Sequence, residues 1–204
     1  MAYDHFGAPI KSTEVALAAF ADAVESVKSH PFSGTAFMKP ATTLPAVRVA
    51  SSSVRDPMLA ATNLASQLSH EHLGCVLFFC SAEYDLGRLG SALEHSFQGA
   101  RVCGCTSAGE ITPDGYGRGC ITAIGFDSRY FAIDCALIRE LDRFTLQDAQ
   151  GVIDGLLSTC RDARLAPVKG NTFAITLLDG LSSREELVLA TLNSALGTIP
   201  QFGG

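Results

Sequence analysis

The chain has 204 residues, 47% of them hydrophobic, with a mean hydropathy of +0.23, enough apolar material to bury the core of one large or two small domains. Its 21 acidic and 15 basic residues give a net charge of -6, and no Lys/Arg cluster offers a stripe from which a nucleic acid could displace counterions, which disfavours nucleic-acid binding. The start, MAYDHFGAPIK, has neither the basic nor the apolar region of a signal peptide, and the longest apolar run, CVLFFC at 75–80, is too short for a bilayer, so the expectation is a cytoplasmic chain without a membrane partner.

Along the chain, residues 12–29 carry Leu17, Phe20, Val24 and Val27 at i, i+3, i+7 and i+10, the single apolar stripe of a helix. The stretch HPFSGTAFMKPATTLP, 30–45, has three prolines and no period and reads as an arm. Residues 1–47 are therefore expected to be a helix with a proline-containing arm, preceding a domain over 48–204. RVASSSV at 48–54 predicts a short strand, and Asp56-Pro57 supplies a cap and an N1 proline for a helix to about Glu71. GCVLFFC at 74–80 is a continuous apolar run of strand length, as expected where both faces are covered. Asp85 caps a helix with Leu86, Leu89, Leu93 and Phe97 along one side and Gly99 near its end.

ARVCGCTS at 100–107 is the next strand, and GCITAIGF at 119–126 with YFAIDCALI at 130–138 reads as a hairpin around Asp127-Ser128-Arg129. Thr145 with Asp148 opens a helix to about Cys160, and NTFAITLLDG at 171–180 is another buried strand. Ser182 with Glu185 forms a capping box for a last helix ended by Gly197, and IPQF at 199–202 begins a final strand. Strands alternating with helices imply right-handed parallel crossovers, and the hairpin makes the sheet mixed. The predicted fold is α/β: a three-layer domain with a mixed, mainly parallel sheet interrupted by an antiparallel hairpin, with no internal repeat.

The chemistry concentrates in CGCTSAGEITPDGYGRG, 103–119. Cys103 and Cys105 lie on one face of a strand, but two ligands do not complete a tetrahedral metal site, and His70-x-His72 is the nearest thing to a second pair. Six of the seven cysteines sit inside apolar runs, the pattern of reduced, buried thiols. Cys105 to Gly109 nearly matches a nucleophile elbow, yet turn chemistry follows where a helix should open, and all five histidines precede Ser107. A cysteine-dependent enzyme would need a histidine to fold back as base. No base is placed beside Ser107, Cys103 or Cys105, so the expectation is a binding module and not an enzyme. A parallel sheet places its ligand beyond the carboxyl ends of its strands. That crevice would collect Ser81 to Tyr84, Thr106 to Glu110, Asp179 and Gly203, with hydroxyls, carboxylates, an aromatic ring and glycines that admit a ligand to the backbone.

At these residues the sequence resembles the FIST family of sensory domains. VLFFCSAEYDLGRLGSALEHSF, ARVCGCTSAGEITPDGYGRG and LLDGLSSREELVLATLNSALGTIPQFGG carry the likeness, which covers about 48–204 and looks like the N-terminal half of that module, with the C-terminal half absent. The resemblance implies a bacterial intracellular sensor of small molecules, with a site carried onto Cys105, Thr106, Ser107, Ala108, Gly109, Glu110, Asp179 and Gly203, to which the crevice adds Tyr84. Two ligands follow from it. One is haem sensing nitric oxide and regulating a partner histidine kinase or other signalling protein. The alternative is an amino acid, its ammonium on Glu110 and Asp179 and its carboxylate on the backbone N–H groups of Ser107 to Gly109. Haem could not attach through C-x-x-C-H, which is absent. The axial candidates are His95, on a helix face opposite the leucine stripe where a homodimer contact could bury it, and His72 near a helix C-terminus.

Overall fold

The computed structural model describes residues 15–22, 45–178 and 182–203, the first of these as backbone. In chain order they form β1 (Val15–Asp22), β2 (Val47–Ser52), α1 (Pro57–Leu68), β3 (Leu73–Ser81), α2 (Leu86–Ser96), β4 (Arg101–Ser107), β5 (Glu110–Thr112), β6 (Gly115–Gly117), β7 (Ile121–Asp127), β8 (Phe131–Ile138), α3 (Leu146–Ala163), β9 (Thr172–Leu178), α4 (Glu185–Leu196) and β10 (Gln201–Gly203). The helix starts obey their local chemistry. Asp56 accepts from the Leu59 amide at 3.0 Å and Asp85 from that of Arg88 at 3.1 Å, while Thr145 and Asp148 form a reciprocal capping box. Each satisfies amides that the first turn leaves without an intrahelical partner. The box expected at Ser182 and Glu185 does not form: the helix begins at Glu185 itself with Arg184 as its cap residue, and the Ser182 hydroxyl instead accepts from the Arg184 amide at 3.3 Å.

The class is α/β with mixed pairing, as the sequence implies, but the layers differ. Among the described residues eight of the ten strands fall into two four-stranded sheets, ordered β2-β7-β3-β4 and β8-β1-β9-β10. Helices α1 and α2 cover the outer face of the first around Leu64, Leu68, Phe78, Leu89, Leu93 and Ile121. Helices α3 and α4 cover the second around Leu141, Ile153, Leu156, Val188 and Leu192. The inner faces meet through Cys75, Leu77, Cys103, Ile133, Cys135 and Ile175, so the expected three layers are four. Strand β3 alternates Val76, Phe78 and Cys80 toward the helices with Cys75, Leu77 and Phe79 toward the other sheet, which is why its sequence is apolar throughout.

Antiparallel pairings outnumber parallel ones, correcting the mainly parallel expectation. The parallel pairs, β3 with β4 and β9 with β10, are the two places where a helix links neighbouring strands. The expected hairpin does not pair with itself. Strand β7 inserts between β2 and β3, whereas β8 pairs with β1 in the other sheet, and the connection between them is closed by a buried Asp127 whose carboxylate takes three contacts of 2.6–3.2 Å from Arg129. The helix expected over 12–29 is likewise a strand where it is described: β1 lies between β8 and β9, antiparallel to both. Backbone partners on both sides override a local helical periodicity. Val24 and Val27 lie outside the described residues.

The two sheets repeat one plan. Each is a strand-helix-strand-helix-strand unit, β2-α1-β3-α2-β4 or β8-α3-β9-α4-β10, with one antiparallel strand from the other half of the chain inserted between its first two strands. The repeat is topological, and no sequence period announces it.

Candidate functional site

Strands β3 and β4 run in parallel with Cys80 opposite Thr106 and Ser81 opposite Ser107, so the loops that leave their carboxyl ends emerge together, as the sequence reading requires. From Ser107 the chain turns through an exposed Ala108 and Gly109 into the two-stranded ribbon β5–β6, where Glu110 faces Gly117 and Thr112 faces Gly115. The turn between them is Pro113-Asp114, pinned by the Thr112 hydroxyl, which donates to the Gly115 carbonyl at 2.9 Å and accepts from the Asp114 amide at 3.2 Å.

Glu110 is 1% exposed. One carboxyl oxygen accepts from the Ser107 hydroxyl at 2.9 Å, and the other receives the Cys120 amide at 3.4 Å and the Cys120 thiol at 3.2 Å. The side chain thus ties the end of β4 to the start of β7 and holds the ribbon between them. Burial, reinforced by Glu110, pushes the Cys120 thiol up to about 11. Burial likewise raises Cys80 to about 12, with Cys105 and Glu110 adding to it.

The ribbon forms one wall of an open groove of about 310 Å³. Its other walls are Ser51, Ser52 and Ser53 at the end of β2 and Asn63 of α1; the ribbon side supplies Thr112, Asp114, Gly117, Arg118 and Cys120. The Asn63 amide donates to the Ser52 hydroxyl at 3.4 Å. Arg118 stands on the rim, its Nε donating to the Tyr116 hydroxyl at 3.4 Å and its guanidinium 6.0 Å from that ring's centre. The floor is hydroxyl-rich and the rim offers one acid, Asp114, and one base, Arg118.

Of the residues singled out from sequence, Thr106 to Glu110 gather at this end of the first sheet. Tyr84 is buried beside them, its hydroxyl donating to the Val54 carbonyl at 2.7 Å, and it lines a second cavity of about 60 Å³ with Arg55, Glu83 and Gly119. Burial, with Cys120 and Cys80 adding to it, lifts its phenol to about 12. Cys105 points into the layer between the sheets, against Leu137 and Leu177, and burial raises its thiol. Gly203 belongs to β10 of the second sheet, and Asp179 lies outside the described residues. The groove residues Ser51 to Ser53, Asn63, Asp114 and Arg118 were missed. A run of three serines at a strand end and the charged turn PDGYGR were the available signals, but neither shows that they meet.

Neither histidine candidate fits haem. His95 is exposed on α2, and His72 is half-exposed at the entry to β3, 3.9 Å from Glu71; neither lines the groove or the smaller cavity. A haem pocket needs an apolar wall around its axial ligand, and the groove's walls are polar. A different group is suited to a metal ion: the sulfur atoms of Cys75, Cys103 and Cys135 lie within 4.8 Å of one another, with Cys103 and Cys135 3.1 Å apart. Hydrogen bonding with Cys103 and Cys75 holds the Cys135 thiol well below its ordinary value, whereas Cys103, bonded to Cys135 and Cys75 and fully buried, is raised well above it.

A two-sheet α/β domain with its polar groove at the carboxyl ends of a parallel strand pair is a ligand-binding module in form. Comparison with known families agrees: the FIST N domain matches residues 74–204, and the chain belongs to that family. FIST domains are small-ligand sensory domains of signal transduction. No curated protein and no solved structure matches the chain. Among the described residues no helix is long and apolar enough to cross a membrane.

Proposed function

We propose that the groove beside the β5–β6 ribbon is the sensory site and that its ligand is a small zwitterion of the amino-acid class. The observation that carries this is the pairing of Arg118 and Asp114 on the rim of a hydroxyl-lined groove of about 310 Å³, the lower end of the range for small-molecule pockets. The guanidinium receives the carboxylate in a forked pair, Asp114 takes the ammonium group, and Ser51 to Ser53 with Asn63 and Thr112 bond the remaining polar atoms. Glu110, with Ser107 and Cys120 on its oxygens, positions the ribbon and does not touch the ligand. A ligand that bridges the ribbon to β2 and α1 orders the ribbon, and a signalling partner, of which a histidine kinase is one kind, reads that change.

Calorimetric titration with the common amino acids tests the reading. At least one is expected to bind, about 10- to 100-fold more weakly to Arg118→Ala, the loss of one charge-assisted contact, and with partial recovery in Arg118→Lys. Binding that is indifferent to Arg118 would place the ligand elsewhere. The haem and nitric-oxide reading draws no support from the described residues, and reconstitution with haemin is expected to give no stoichiometric Soret band. A catalytic role for Cys103 or Cys105 is disfavoured by their raised thiols, since the thiolate is the nucleophile. Both are expected to resist iodoacetamide at neutral pH; rapid alkylation of either would reopen the enzyme alternative.

A further inference from the structure

Three sulfur atoms converge in a layer that is otherwise apolar. Cys75 of β3 and Cys103 of β4 stand on the inner face of the first sheet, two residues apart in register, because Leu77 pairs with Cys103 and Cys75 with Arg101. Cys135 of β8 comes from the second sheet, on the inward-facing side of its strand with Ile133. The alternation of β-strand side chains fixes all three toward the same space, and their sulfurs lie within 4.8 Å of one another. Leu77, Phe79, Phe126, Ile133 and Ile175 wall the layer. By contrast, Cys80 packs in the helix-side core of the first sheet and Cys160 in that of the second, as small apolar residues would.

We propose that Cys75, Cys103 and Cys135 bind one copper(I) ion between the two sheets. A planar three-sulfur site with metal–sulfur bonds of about 2.3 Å sets its sulfurs about 4.0 Å apart. The 4.8 Å limit accommodates that triangle, and the closest pair, at 3.1 Å, has to open by only about 0.9 Å to reach it. Thiolate sulfur selects soft ions, copper(I) and zinc(II) among them. Zinc requires a fourth ligand, from the protein or from water. Among the described residues no further His, Cys, Asp or Glu atom joins the group. The carboxylate of Asp134, next to Cys135 in the chain, is taken by Arg101 at 2.9 Å, the Cys135 amide at 2.9 Å and the Thr159 hydroxyl at 2.6 Å. An apolar wall offers no partners to a bound water. Copper(I) is satisfied by three thiolates, and Arg101, at the edge of the same layer, offsets part of their charge. On binding, three S–H protons pass to solvent as three copper–sulfur bonds form, and the copper stays in the +1 state. Because the ligands come from both sheets, the ion fastens one sheet to the other.

The test uses the whole chain, fully reduced under argon, with copper(I) presented against bathocuproine disulfonate as competing chelator. One copper per chain is expected, with an absorption-edge spectrum of three sulfur neighbours at about 2.3 Å and no nitrogen or oxygen. Cys103→Ser and Cys135→Ser are each expected to bind at least about 100-fold more weakly, since each removes one of three ligands. Cys105→Ser, two residues along the same strand, is expected to bind as the parent does. Circular dichroism of the apo variants checks that each is folded; if one is not, the sulfur count of the parent protein decides. The proposal is overturned by substoichiometric copper, by a shell with fewer than three sulfurs or with nitrogen or oxygen, by affinity that Cys105→Ser lowers as much as Cys103→Ser, by zinc(II) held in preference to copper(I), or by recovery of a Cys103–Cys135 disulfide in place of the metal.

Discussion

A carboxyl side chain with 1% exposure persists inside a protein only when its oxygen atoms are used, and Glu110 uses both. Glu110→Leu keeps the bulk but removes both acceptor oxygens. The buried Cys120 amide and thiol and the Ser107 hydroxyl then lose the acceptors they use. A destabilisation of about 1–3 kcal/mol is expected, the magnitude for a buried polar group left without a partner, read as a shift of the urea midpoint with unchanged slope. No loss of stability would mean that Glu110 does not hold the ribbon. The sequence marks Glu110 as special by setting it among glycines, but as a ligand contact. Its inward role was not legible because the acceptor's partners include Cys120, ten residues on and across the ribbon. The glycines are similar. Gly203 is expected from the sequence to open space for a ligand, yet a Cβ there would run into the Thr176 carbonyl, and one on Gly104 would likewise run into the Phe78 carbonyl. At both positions glycine lets a third strand lie against the second.

At the scale of elements, the sequence is most readable where the cause is local. Asp56, Asp85 and the Thr145/Asp148 box are each satisfied within a few residues, so their helices lie where side-chain chemistry predicts. Thr145→Ala removes the acceptor of the Asp148 amide and the hydroxyl contact of 2.6 Å to its carboxylate. It is expected to cost about 1 kcal/mol and, for a domain of this size, roughly 2–4 °C in Tm; a change below half a degree would show that the first turn of α3 is held by packing alone. Strand β1 and the apparent hairpin fail for a common reason. A strand's partners are chosen by the rest of the chain, and neither the periodicity of 15–22 nor the short turn at 127–129 says in which sheet the strand will lie. The groove was hidden for the same reason: its walls come from β2, α1 and the ribbon, separated by some fifty residues of chain.

For the molecule as a whole, two repeated units share one inner layer, and several buried thiols lie in and around them. Cys80 is raised to about 12, Cys120 to about 11 and Cys160 to about 11, with burial the leading cause in each. A thiol whose folded value lies above its unfolded value favours the folded state below the unfolded value, near 9.0. That advantage is lost as pH rises through the folded value, because the unfolded chain ionises first. Stability is therefore expected to fall progressively between about pH 9 and pH 12, whereas an alkaline limb that survives replacement of Cys80, Cys120 and Cys160 by alanine would assign the fall to other groups. The α/β class and the FIST likeness were legible because they reside in short stretches; the second sheet and the repeat were not, since the equivalent strands share topology and no obvious period. A ligand in the groove between β2, α1 and the ribbon would disturb the amides that line it, which backbone amide shifts during titration with a bound amino acid read residue by residue. Perturbations are predicted to concentrate at Ser51 to Ser53, Asn63 and Thr112 to Cys120 and to vanish in Arg118→Ala; shifts confined to the second sheet around β9 and β10, with the groove silent, would place the ligand elsewhere.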